Sequence, residues 1–419
     1  MSAYIDWMGG QTPPLWGVFK LKHILREEKK EIGSSFPAGA ISFGEVVFKV
    51  FDNEETLATY RTVRRGQFLI NPLNLNYDLK SLRIGLSKID CRVSPAYIVV
   101  SNEERLATAE YLRWALRVFD VQHIKTLGAG VRQTVNFENI GECRIALPSV
   151  EEQTAIADYL GRTTNRIDAL ISKKAHFIEM LSEKRQALIT HAVTKGLDVN
   201  MPMKDSGVEW LGKIPAHWDV VPPVALFTES KERAYVGDQM LSATQKYGVI
   251  PLADFEALEQ RQVTKAIANL EMRKHVEIGD FVISMRSMDG GLERSRAVGS
   301  VRSSYSVLKA GPCVEGQYFG ALLKCSLYIQ ALRLTSNFIR DGQDLSFTHV
   351  KKVKLPKPGL EEQAAIADYL ESATARIDAL ITKTERSIRL LREHRTALIT
   401  AAVTGKIDLR NNAGLRNAA

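Results

Sequence analysis

Residues 151–198 read EEQTAIADYLGRTTNRIDALISKKAHFIEMLSEKRQALITHAVTKGLD, and residues 361–408 read EEQAAIADYLESATARIDALITKTERSIRLLREHRTALITAAVTGKID. The two stretches align without a gap at an offset of 210 residues, with 28 identities over the 47 positions Glu152–Asp198. A period near half the chain means a duplicated two-part molecule, because solenoid repeats recur every ~20–50 residues.

Both copies read as long helices. In the first, apolar residues recur at Ile156, Leu160, Ile167, Leu170, Ile171, Ile178, Leu181 and Leu188. The second repeats the seam at Ile366, Leu370, Ile377, Leu380, Ile381, Ile388, Leu391 and Leu398. Steps of three, four and seven draw a stripe, and Leu160, Ile167, Leu181 and Leu188 keep heptad phase, which favours pairing with another long helix. Proline and glycine are absent from Arg162 to Lys195. At ~1.5 Å per residue, about 43 helical residues reach roughly 65 Å. A rod of that length cannot bury its seam against itself, and its duplicate is the obvious partner.

The amino-terminal stretch is echoed too. IDWMGGQTPPLWGVFKL (5–21) matches VEWLGKIPAHWDVVPP (208–223), with Trp7 on Trp210 and Trp16 on Trp218. Each copy therefore runs from an opening loop through a globular domain into a long helix. GAISFGEVVFKVF, GQFLINPL and PAYIVV alternate apolar and polar residues and favour β-branched types, which predicts strands. EERLATAEYLRWALRVFDV (103–121) carries helical spacing. In the second copy GVIPL, GDFVISM and SYSVLKA are the predicted strands and EGQYFGALLKCSLYIQALRL the predicted helix. The Leu147-Pro148 and Leu355-Pro356 steps mark the helix starts. Residues 200–215 read as a polar, uncapped connector.

At 45% hydrophobic and 25% charged residues the composition is that of a globular protein. No apolar run is long enough to span a membrane, and MSAYIDWMGG lacks the form of a signal peptide. Cys91, Cys143, Cys313 and Cys325 share no C-x-x-C spacing and read as buried, reduced thiols of a cytoplasmic protein. A net charge of +8 is consistent with a polyanionic partner.

Catalytic patterns are missing. There is no phosphate-binding loop, and the GAG at 128–130 lacks a third glycine. Asn71-Pro72-Leu73-Asn74 lacks the aromatic that would stack on an extruded base, so it reads as a turn. Eight histidines show no metal-ligand spacing. The expectation is a chain with no catalytic residues, no metal and no cofactor of its own.

Polar and basic residues gather instead between the predicted elements. Arg61, Arg64, Arg65, Asn74, Asn76, Lys80 and Arg83 do so in the first domain. Lys246, Tyr247, Arg286, Ser287, Arg294, Arg296 and Arg302 do so in the second. Arginine offers guanine a bidentate fork, asparagine matches adenine, and lysine supplies charge to phosphate. Each of these positions also reads as a solvated loop residue; Lys351, Lys352, Lys354 and Lys357, which flank the second helix start, read as phosphate contacts or solvated residues and not as base readers.

With the doubled helix starts LPSVEEQTAIADYL and LPKPGLEEQAAIADYL, the paired RIDALI blocks, and KDSGVEWLGKIPAHW between the copies, the chain resembles the specificity subunits of type I restriction–modification systems. RQTVNFENI (132–140) and GQDLSFTHVKKVKLP (342–356) fit their recognition domains. The resemblance implies an α+β fold, with two α/β target-recognition domains separated by two long antiparallel helices that form a coiled coil with pseudo-twofold symmetry. The expected boundaries are 1–148 and 218–356 for the domains, 149–199 and 357–409 for the spacer helices, 200–217 for the connector and 410–419 for a tail. Each domain would read half of a bipartite site in double-stranded DNA. The helices would also dock two methyltransferase subunits, joined by motor–nuclease restriction subunits. S-adenosylmethionine, ATP and Mg would belong to those partners. A coiled-coil adaptor that binds only proteins remains the competing reading of the residues.

Overall fold

A computed structural model describes residues 4–33, 35–42, 44–50, 53–73, 82–127, 134–263, 270–284, 287–335 and 345–407. The chain divides into two compact units, Met1–Lys174 with Arg386–Ala419, and Ala175–Glu385. Each unit thus takes one globular domain together with part of both long helices.

In the first unit, alternating β-branched segments form a six-stranded sheet. Its strands are β1 (Leu25–Glu27), β2 (Gly39–Ser42), β3 (Glu45–Phe48), β4 (Phe68–Ile70), β5 (Ile84–Leu86) and β6 (Ile98–Asn102), in the order β1-β6-β4-β5-β3-β2. Neighbours are antiparallel except β3 and β5. Helix α1 (Ala109–Gln122) starts at Thr108, whose hydroxyl accepts the Tyr111 N–H. Its face of Tyr111, Leu112, Ala115, Leu116 and Phe119 shares one buried cluster with Phe68 and Ile70. The first long helix, α2, spans Val150–Lys195.

The second unit repeats the central sheet with β7 (Phe227–Ser230), β8 (Phe281–Ile283), β9 (Glu293–Arg294) and β10 (Ser306–Ala310), in the order β7-β10-β8-β9. Register matches as well as order. Phe68 lies between Val100 and Leu86, and Phe281 lies between Leu308 and Arg294. The helix predicted over 315–334 is instead two, α3 (Gly316–Leu322) and α4 (Ser326–Thr335). They part where the Leu323 carbonyl accepts the Leu292 N–H from the strand side. The second long helix, α5, spans Leu360–Val403.

Other expectations are revised. The stretch read as a connector is a hairpin, Met203–Asp205 against Lys213–Pro215, with the Asp205 carboxylate accepting the Gly207 N–H in its turn. Leu211 is buried in the second unit's core, and Trp210 Nε1 donates to the Lys354 carbonyl. Trp7 does the same to the Arg144 carbonyl in the first unit, so the hairpin is the opening of the second domain. Pro356 lies inside the strand Leu355–Lys357 and does not mark the start of α5; Pro358 is the counterpart of Pro148. Cys91 and Cys325 are buried, but Cys313 is exposed in the turn ahead of α3.

The EEQ of each repeat explains how domain meets helix. Gln153 is buried: its Nε2 donates to the carbonyls of Leu106 (2.9 Å) and Pro148 (3.0 Å), and its Oε1 accepts the Thr108 N–H (2.9 Å). Gln363 donates to Cys313 (3.2 Å) and Pro358 (2.9 Å) and accepts from Glu315 (2.8 Å). The other long helix is fastened at its end. Tyr111 Oη donates to the Val403 carbonyl in the first unit, and Tyr318 Oη to the Val193 carbonyl in the second.

Within the first unit, Ile156, Leu160 and Ile167 of α2 pack with Leu398, Ile399, Ala402 and Val403 of α5, start against end. Within the second, Ala192 and Val193 of α2 pack with Ile366 and Leu370 of α5. Leu181, Ile377 and Ile388 are also buried, and Ile171, Ile178, Leu188, Ile381 and Leu391 half-buried. Leu170 and Leu380 depart from the predicted seam at 48% and 46% exposure. The inward stripe steps from Ile167 to Ile171 and from Ile377 to Ile381; Leu170 and Leu380 each stand one residue, ~100°, away from it.

Truncating Gln153 or Gln363 to alanine strands one buried N–H and two carbonyls, and each substitution is expected to cost about 2–3 kcal/mol. Urea unfolding measures the loss. Amide exchange at Thr108 or Glu315 should accelerate in the matching variant and stay slow in the other.

Candidate nucleic-acid interface

The basic residues singled out in the sequence separate into three groups. The first supports the fold. Arg61 belongs to the strand Arg61–Val63 and is 2% exposed; it donates to the carbonyls of Tyr97 (3.1 Å) and Glu28 (2.8 Å). Burial lowers its pKa. Arg83 is buried and donates to the Leu73 carbonyl, and its own N–H and that of Ile84 are held by the Asp120 carboxylate. Ser287 is buried and its Oγ accepts the Ser284 N–H. These three are corrected from loop readers to internal braces. Strand and turn residues of either kind have the same composition, and only burial separates them.

The second group faces solvent. Arg64 pairs with Glu31 at 2.7 Å, Arg65 is exposed, and Arg302 is exposed in the turn before β10. Asn74, Asn76, Lys80 and Arg286 lie outside the described residues, as does the GAG at 128–130. Asn71 Oδ1 accepts the Leu73 N–H at 3.1 Å, the turn expected there.

The third group converges. In the second unit Lys246, Arg294 and Arg296 line one cleft, joined by Lys324, which sequence reasoning missed. Lys246 comes from the hairpin Leu241–Pro251, lies 4.7 Å from the centre of the Tyr247 ring and 3.9 Å from Glu259. Tyr247 Oη donates to Glu259, so this tyrosine braces the hairpin. Lys324 Nζ donates to the Gln245 carbonyl and to Glu293 Oε2, both at 2.7 Å. Burial pushes the Glu293 carboxyl above the usual range, and Lys324 opposes that shift. The signal for Lys324 was weak, a lone lysine at the break between two helices.

Two charge pairs on the long helices were also missed. Arg395 binds Asp168 at 2.9 Å in the first unit, and Arg185 binds Asp378 at 2.9 Å in the second. Asp168 and Asp378, like Arg185 and Arg395, stand 210 residues apart, so a search for charges kept in both copies would have found them. Burial and the neighbouring Arg395 together lower the Arg117 pKa to about 10. Among the described residues, no cluster of three or more His, Cys, Asp or Glu is placed to hold a metal. No described helix is long and apolar enough to cross a membrane.

No family model matches the chain. Among curated proteins, it is 23% identical to the putative type I restriction enzyme MjaX specificity subunit of Methanocaldococcus jannaschii, over 96% of both chains. It is 24% identical to the type I restriction enzyme MjaVIII specificity subunit of the same organism, over 76% of this chain and 75% of that one. The resemblance to type I specificity subunits holds. Solved structures agree in fold. The HsdS subunit of Thermoanaerobacter tengcongensis aligns with a TM-score of 0.53 at 15% identity, covering 94% of this chain and 98% of that one. A chain from a study of complex assembly and conformational transition of the type I R-M system aligns at 0.68 and 15% identity, covering 94% and 99%. In both, as here, helix and sheet are mixed.

The brace under the first unit's basic segment carries a pH signature. Burial raises the Asp120 pKa from 3.8 to about 6, against the pull of the Arg83 and Ile84 N–H groups. The folded state holds this proton more tightly than the unfolded chain, so its stabilisation is complete below pH ~4 and is lost as pH rises through about 6. Asp120→Asn should remove that slope. Between pH 4 and 7, unfolding free energy of the variant relative to the wild type is expected to rise by up to about 3 kcal/mol, read from urea titrations at each pH.

Proposed function

We propose that the chain is the DNA-recognition subunit of a type I restriction–modification complex, each globular domain reading one half of a bipartite site. The observation that carries this reading is that one strand order and one helix joint are built twice, in a chain similar end to end to specificity subunits. A protein that must recognise two different half-sites with one frame needs that construction. It keeps the mechanics in both copies and varies the surfaces between them.

On this reading α2 and α5 run antiparallel as a coiled-coil spacer that sets the distance between the half-sites. Readers on one face of a duplex need centres about one turn, ~34 Å, apart or a multiple of it. The exposed faces of the helices, Leu170 and Leu380 among them, dock two methyltransferase subunits, and restriction subunits complete the cytoplasmic complex. The methyltransferases supply S-adenosylmethionine chemistry and the restriction subunits use ATP and Mg. This chain contributes recognition and no catalytic residue.

Sequencing methylated adenines in cells carrying the assembled complex tests the reading. It should return a two-part motif, and exchanging residues 1–148 for those of a relative should change one half only. A four-residue insertion near Ser182 or Arg392 should lengthen or rephase the gap. An unchanged gap would remove the spacer role, and a complex whose DNA affinity ignores salt would remove the DNA reading, since log K should fall by about 0.9 per phosphate for each unit of log salt.

A further inference from the structure

We propose that the cleft formed by Lys246, Arg294, Arg296 and Lys324 binds one phosphodiester of the DNA backbone. The anion chemistry stands on the cleft itself; DNA as its source rests on the function proposed above. The cleft holds about 260 Å³. That is below the ~300–1,000 Å³ of small-molecule pockets and suits a phosphate with its sugar better than a nucleotide cofactor.

Its charge is unbalanced. Glu293 is the lining carboxylate among the described residues; Lys324 holds its Oε2, and Arg296 acts on it from beyond ion-pair distance, so one carboxylate faces four cations. Lys246 lies over the Tyr247 ring, and the carboxylate it approaches, Glu259, is at the outer limit of an ion pair, 3.9 Å. Arg294 and Arg296 make no ion pair with a described residue, and Arg294 Nε is buried with no acceptor among them. Arg294 is half-buried, with its Nε shielded and no carboxylate in ion-pair range among the described residues, and Arg296 is exposed, so the cleft presents cationic groups suited to an anion brought from outside.

The two units differ at the positions around Arg294. By strand register, Arg294 stands where the first unit has Leu86, a core residue 6% exposed. Counting from Tyr111 and Tyr318, which make the same joint, Gly316 replaces Ala109 and Gly320 replaces Arg113. A Cβ at Gly316 would lie 2.7 Å from Arg294 Nε and Nη2, closer than real Cβ contacts come. At 320 the second unit lacks the long side chain of Arg113, and a Cβ there would sit in ordinary contact, 3.9 Å, with Arg294 Cδ. The planar fork of Arg294 matches two phosphate oxygens, while Lys246 and Arg296 add charge at the rim. A cation serving only to brace the hairpin would bond to it, as Lys324 does through the Gln245 carbonyl.

The test uses the full chain on duplexes containing its methylation motif. Arg294→Leu should weaken binding on the order of tenfold on matched and mismatched second half-sites alike, and make the log K–log salt slope shallower by about 0.9. Neutral methylphosphonate at one backbone position should reproduce that loss in the wild type and add nothing in the variant. Arg296→Gln and Lys246→Gln, both at the exposed rim, should shift the slope in the same direction and serve if the leucine variant melts early by circular dichroism. Unchanged slopes in all three variants, or a change confined to base preference, overturn the proposal. In a second arm, inorganic phosphate is titrated into the DNA-free chain by calorimetry, and Arg294→Leu should abolish its binding. Phosphate bound through Arg294 while DNA affinity ignores that residue overturns the DNA source. A wild type that takes phosphate but no duplex brings down the proposed function, and the DNA source with it, leaving a bare anion site.

Discussion

Two buried glutamine amides carry the architecture. Gln153 and Gln363 are themselves buried, and each enters a globular domain at the first turn of a long helix and satisfies three backbone groups, one of them through a fully buried bond. A buried polar group left unpaired costs about 1–3 kcal/mol, so each domain has one strongly preferred seat on its helix. The opposite wall of the same seat is a tyrosine holding the last carbonyls of the other long helix. Neither domain can be completed by its own repeat alone: Tyr111 needs Val403, and Tyr318 needs Val193. Duplication and folding are therefore coupled in each unit.

The apolar stripe supplies most of the adhesion between α2 and α5, at ~1.5–3 kcal/mol for each fully buried leucine or isoleucine. Arg395–Asp168 and Arg185–Asp378 add little by comparison, since half-exposed pairs contribute about 0–1 kcal/mol. Their value lies in register. Sliding one helix by a turn would keep apolar residues in contact but would part each arginine from its carboxylate. Thr164 and Thr374 sit in the stripe without penalty because their hydroxyls donate to the Leu160 and Leu370 carbonyls one turn back.

The repeat, the helices and most strands could be read from the sequence because their signals are periodic. Leu170 and Leu380 could not be placed, since Ile167-x-x-Leu170-Ile171 offers both a three-step and a four-step and only the partner helix decides between them. The matching strand order of the two domains was hidden for a different reason. Backbone pairing tolerates any residue of adequate β-propensity, so Phe68 and Phe281 recur while Leu86 and Arg294 differ at one position of one frame. Among the basic residues, position between predicted elements was a poor guide. Arg61 and Arg83 bond to carbonyls inside the domain, whereas Arg294 and Arg296 gather at a cleft, and nothing in the composition of those segments distinguishes them.

That division has a physical basis in what the joint recognises. Gln153 bonds to Leu106 and Thr108, and Gln363 to Cys313 and Glu315, yet the contacts are the same because all are to main-chain N–H and C=O groups. The tyrosines likewise address carbonyls of the long helices. A seat built on backbone atoms places no demand on the side chains around it. The surfaces of the two domains are then free to diverge, to the point of exchanging a core leucine for a cleft arginine, without disturbing how either domain is held. Recognition can change while the frame that positions it does not.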